Sequence, residues 1–183
     1  MQIWYPRGPV SPLPLPDGCG VSEVIAAWMP VGVIHPEDPI PNLTNVPLVD
    51  AFEASTFATA KRAHEHASAR YTLATLLRDI GFEPSDLQIV RDEHRKPKLA
   101  WKDAEARNRA GAPSSLQLPE ISLGHSNGVS IAAVSLNGSS IGIDAEPLDV
   151  PRARNLLTMM TSGQELQHLE QLWEVDASGG MQE

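Results

Sequence analysis

Residues 121 to 146 read I-S-L-G-H-S-N-G-V-S-I-A-A-V-S-L-N-G-S-S-I-G-I-D-A-E. The run predicts a strand from Val129 to Leu136, a turn at Asn137-Gly138, and a return strand from Ser139 to Ala145. Asn-Gly is a dipeptide favoured in two-residue hairpin loops, because both residues accept positive φ. Side chains alternate along a strand, so Asp144 and Glu146 fall on one face with Ala145 opposite. Two adjacent carboxylates suit Mg²⁺, which is usually held by one or two carboxylates plus the phosphates of a substrate. Phosphate chemistry is the first expectation.

The rest of the chain sets bounds on that expectation. It has 183 residues, 42% hydrophobic and 20% charged, an ordinary globular balance. A Pro-rich extension over residues 1–22 followed by a single domain over 23–183 is predicted. A net charge of −9 argues against general attraction to nucleic acid or an anionic membrane. With no long apolar run and no basic-then-apolar N-terminus, a cytoplasmic location is expected. The lone Cys19 has no second thiol to pair with and reads as a loop bystander. His64 and His66 stand two apart and read as surface residues on different faces of a helix.

Local signals divide the chain further. Prolines at 6, 9, 12, 14 and 16 exclude helix and central strand there. Val24–Met29 fits a buried strand ended by Pro30. Residues 50–80 predict one long helix stopped at Gly81, with Leu73, Leu76, Leu77 and Ile80 on its buried face. Lys61, Arg62, Arg70 and Arg78 read, each by itself, as solvated charges on the remaining surface. L-Q-I-V at 87–90 is a strand, 91–99 a polar turn with a basic corner at Lys96-Pro97-Lys98, and 102–119 a surface loop. Beyond Pro151 two helices are expected, the second opened by a capping box of Ser162 and Glu165, before a loop-like tail.

The helix carrying Arg70, the turn R-K-P-K-L and the pairing of L-G-H-S with G-I-D-A-E resemble, in order and spacing, the 4′-phosphopantetheinyl transferase superfamily. The likeness is to its larger, monomeric type and covers roughly residues 23 to 172. It implies an α/β (α+β) fold in which a long helix packs on a small antiparallel sheet, with the second of two pseudo-equivalent halves incomplete. It also implies Mg²⁺ at Asp144 and Glu146, and coenzyme A phosphates at Arg70, Lys96 and His125. The implied reaction moves the phosphopantetheine arm from coenzyme A to a serine of an apo acyl or peptidyl carrier protein. Two positions depart from the family pattern: Gly124 stands where serine is usual, and Arg95 where glycine is usual.

The family's downstream W-x-x-K-E-A helix has no counterpart among these residues. The resemblance therefore implies an N-terminal portion of such an enzyme, with the base beyond Glu183, weak or absent turnover, and exposed apolar surface open to self-association. The same departures fit a second reading, a non-catalytic transferase-like module that binds coenzyme A or a carrier protein. A nuclease using the D-x-E pair fits the carboxylates but not the net charge.

Overall fold

The computed structural model describes residues 2–15, 23–113 and 115–146, together with 152–153, 163–164, 167, 174–175 and 180–182. It is a mixed α+β structure with one long helix and small antiparallel sheets, divided into two compact units, Met1–Ala145 and Glu146–Glu183.

In the first unit, β1 (Ser11–Pro12), β2 (Val24–Pro30), β5 (Glu120–Ser126) and β6 (Val129–Ser135) form a sheet in the order β1-β2-β6-β5. Every neighbour is antiparallel. β6 is flanked on both sides and buried along most of its length, which is why V-S-I-A-A-V-S reads as nearly continuous small and apolar residues. The prolines suit their places: Pro12 lies in the two-residue edge strand β1, and Pro30 is the last residue of β2. A second hairpin joins β3 (Leu87–Arg91) to β4 (Pro97–Trp101).

The hairpin of the 121–146 stretch lies one turn earlier than its sequence predicts. Asn127 (φ 45°) and Gly128 (φ 79°) both occupy the left-handed region, giving the two-residue loop between β5 and β6. Residues 139–146 form no strand; the Ile143 amide donates to the Ser122 side-chain oxygen (3.1 Å) instead of entering a backbone ladder with β6. The predicted 50–80 helix is likewise two helices, α1 (Ala51–Ser55) and α2 (Ala60–Asp79). Asp50 caps α1 by accepting from the Glu53 amide, and Thr59 starts α2 by accepting from the Arg62 amide. The predicted stop at Gly81 is present. The Phe82 amide donates to Leu77 O (2.9 Å) and the Gly81 amide to Arg78 O (3.0 Å), the paired bonds of a Schellman turn. Inside the predicted 102–119 loop, α3 (Ala104–Arg109) forms under an Asp103 cap and is tied down where Arg109 donates to Asp86 (2.6 Å).

Helix α2 is buried on two sides. Leu73, Ala74 and Leu77 pack with Ala27, Leu87, Ile121, Ala132 and Val134, while Ala63 and Ala67 pack under Trp4, Leu43 and Val46. Burial on both sides removes the exposed face assumed for His64 and His66, which are only 8% and 3% exposed. It also removes Arg70 from the solvated surface.

The second unit contains β7 (Arg152–Ala153), β8 (Glu174–Val175) and β9 (Gly180–Gln182) in the antiparallel order β7-β9-β8. Arg152 and Ala153, expected to open a helix, pair with Met181 and Gly180, and the expected loop-like tail supplies the central strand. Gly163, Gln164 and Gln167 are helical, whereas Ser162, Glu165 and Cys19 lie outside the described residues. No helix among the described residues is long and apolar enough to cross a membrane.

Trp4, 2% exposed, closes the second core cluster against Tyr71 (ring centroids 5.6 Å apart). Trp4→Ala should lower the stability of the first unit by about 3–5 kcal/mol, read as a reduced midpoint in urea unfolding. A change below ~1 kcal/mol would show that residues 2–15 do not belong to the core.

Candidate functional site

Along α2, Arg62, His66 and Arg70 recur every fourth residue and so share one stripe of the helix. The stripe runs beside the end of β5, where Leu123, Gly124 and His125 stand, and beside Arg91 and Pro97 of the β3–β4 hairpin. Together with Ala69 these residues line a cleft of about 180 Å³.

Its charge is concentrated and only partly neutralised. Arg70, 6% exposed, donates from Nη2 to Glu53 Oε2 (3.2 Å), and Arg91 Nη2 donates to Glu53 Oε1 (3.3 Å). Arg62 Nη1 is 2.9 Å from His125 Nε2. A guanidinium can only donate, so in this contact His125 Nε2 is the acceptor, while Nδ1 faces Glu65 Oε2 at 3.6 Å. Arg70 Nε is buried with no hydrogen-bond partner, and so is His66 Nε2. A buried guanidinium N–H without an acceptor is costly to leave unmade.

Burial pushes His66 down to about 3, with Arg70, Arg62 and Arg91 adding like-charge repulsion, so it is neutral at physiological pH. Burial also lowers Arg70, to about 10, against the opposing pull of Glu53, which leaves the guanidinium charged at neutral pH.

The residues singled out in the sequence fall in different places. Arg70 and His125 line the cleft together. The Lys96 ammonium is not in that lining; it is held by Glu120 and donates to Ser140 Oγ (2.9 Å). Asp144 and Glu146 are exposed with Ala145 half-buried between them, so the alternation expected of a strand persists without a ladder. Asp144 lies in the first unit and Glu146 opens the second. No group of three or more His, Cys, Asp or Glu side chains able to hold a metal occurs among the described residues. Asp144 and Glu146 each present an exposed carboxylate, the oxygen donor type that Mg²⁺ takes.

Of the two positions that differ from the resembled pattern, Gly124 has a local explanation and Arg95 has none. A Cβ on Gly124 would lie 3.1 Å from Ile131 Cγ1 and 3.2 Å from Ile143 O, so glycine lets the 139–145 segment close on β5. Arg95 adopts φ 64°, a conformation glycine takes more readily. Its turn is held by the Asp92 carboxylate, which accepts from the His94 (3.0 Å) and Lys96 (2.9 Å) amides.

Glu53, His66 and Arg91 belong to the site but were not singled out by the sequence. The four-residue spacing of 62, 66 and 70 was the available signal for His66. Nothing local marked Arg91 or Glu53, since both reach the cleft through tertiary packing.

The chain matches no protein-family model, and no curated protein matches it.

Because His66 is neutral when folded and titrates near 6.5 when unfolded, the unfolded state takes up more protons below that value. Its contribution is complete above pH ~6.5 and is lost as pH falls toward about 3. Between pH 7 and pH 5 the wild type should lose about 2 kcal/mol more unfolding free energy than His66→Gln. Parallel pH profiles for the two proteins would contradict this.

Proposed function

We propose that this cleft binds the phosphate groups of coenzyme A, and that the chain belongs to a Mg²⁺-dependent 4′-phosphopantetheinyl transferase acting on an apo acyl or peptidyl carrier protein. The observation that carries the reading is that Arg62, Arg70, Arg91 and His125 line one cleft, with a buried Arg70 N–H lacking an acceptor. Planar guanidinium groups match phosphate oxygens in pairs and hold them by charge-assisted bonds. The position of His125 within G-H-S, preceding G-I-D-A-E, supports coenzyme A over other phosphate compounds.

In the proposed reaction the carrier serine oxygen forms a bond to the β-phosphorus of coenzyme A. The bond from that phosphorus to the departing 3′,5′-ADP breaks, and the serine proton passes to a general base. Asp144 and Glu146 would hold Mg²⁺, which when bound offsets charge on the pyrophosphate and leaving group. Arg62, Arg70 and Arg91 fix the phosphates beside His125. Lys96 would reach a phosphate only by exchanging its bond to Glu120. The role of these side chains is orientation and electrostatic stabilisation. Gly124 and Arg95, which depart from the resembled pattern, support a second reading, a non-catalytic module that binds coenzyme A or a carrier protein.

Calorimetric titration with coenzyme A separates these outcomes. Wild type should bind, 3′,5′-ADP should compete, and the exposed substitution Arg62→Ala should weaken binding about tenfold or more, as expected for a lost charge-assisted hydrogen bond. No binding by folded wild type would contradict the transferase and leave the second reading only as a carrier-protein binder. With fluorescent coenzyme A, Mg²⁺ and apo carrier proteins, labelling supports the transferase, and binding without labelling supports the non-catalytic module.

A further inference from the structure

Glu53 uses both carboxylate oxygens on the cleft's arginines. Oε2 accepts from Arg70 Nη2 at 3.2 Å and Oε1 from Arg91 Nη2 at 3.3 Å, while His66 Nε2 lies 3.9 Å from Oε2. These are N–H groups that a bound phosphate would need. The carboxylate satisfies them only in part, because Arg70 Nε remains buried without an acceptor.

The element carrying Glu53 is lightly held. Helix α1 spans five residues, none of them buried, and Phe52 beside Glu53 is 80% exposed. Residues 56–59 separate it from α2, and the Glu53 side chain itself is 32% exposed. Glu65, the other carboxylate facing the site, is different. It sits within α2, is 12% exposed, and is shared between Lys61 (3.9 Å) and His125 (3.6 Å). One acid is thus built into the frame, and the other can withdraw toward solvent.

We infer that Glu53 is an internal counter-anion: it closes the arginine pair when the site is empty and is displaced when a phosphate enters. The inference rests on the cleft being a phosphate site. Its consequence has a definite sign. A residue that merely props up Arg70 and Arg91 would weaken phosphate binding when altered, whereas a competitor would strengthen it. Arg62, which donates to His125 and not to Glu53, gives the incoming anion an arginine outside this closed pair.

The test uses inorganic pyrophosphate as the probe, titrated calorimetrically at pH 7.5 into wild type and Glu53→Gln. Glutamine keeps the shape and an acceptor oxygen but removes the charge. Glu53→Gln should bind pyrophosphate about tenfold more tightly than wild type. Equal or weaker binding by the folded variant, beside measurable wild-type binding, overturns the role of Glu53 and leaves the phosphate site standing. Failure of both proteins to bind overturns the site and this inference together. Should the variant not fold, ¹³C NMR of the Glu53 carboxyl carbon in wild type decides. Its resonance should move on saturation with pyrophosphate, and an unmoved resonance excludes displacement.

Discussion

The packing of α2 across β6 and β5 is the constraint from which the site follows. Leu73 and Leu77 are fully buried against Ala132, Val134 and Ile121. Burying each large apolar side chain is worth about 1.5–3 kcal/mol, and together they fix the rotation of the helix about its axis. Small residues on both partners, Ala74 on the helix and Ala132 on β6, permit close approach. With that rotation set, Arg62, His66 and Arg70 face the end of β5 carrying His125. A turn of one residue, about 100°, would carry the stripe away from Arg91 and Glu53.

The electrostatics follow from the same packing. A chain of net charge −9 gathers Arg62, Arg70 and Arg91 at one cleft, so its mean charge says little about the site's local potential. Burial of Arg70 has an energetic cost that Glu53 offsets in part. His66 adapts by remaining neutral, which avoids adding a further positive charge to a cluster already crowded with arginines.

How far the sequence could be read depended on whether a feature was local. Strand β2, the β3 strand and the glycine stop after α2 were legible because proline, glycine and apolar runs act over a few residues. Two equivalent Asn-Gly dipeptides, at 127–128 and 137–138, made the hairpin ambiguous. The nearer pair closes β5 onto β6, and Ser122 then takes the Ile143 amide with its side chain. The break between α1 and α2 carries no proline or glycine, only Thr56 and Thr59, whose capping role is weaker in sequence than in structure. Arg70 and His125 were singled out through family resemblance, and they line one cleft. Arg91 and Glu53 could not be found by spacing, because a strand end and a short helix bring them together across 38 residues.

The central claim is that the Arg70 cleft holds a phosphate of coenzyme A. A crystal structure of the protein with coenzyme A and Mg²⁺ tests it most directly. The account predicts phosphate oxygens within hydrogen-bonding distance of Arg70 and Arg91, with the Glu53 carboxylate withdrawn from both. Coenzyme A bound elsewhere, with Glu53 still bridging the two arginines, would contradict it.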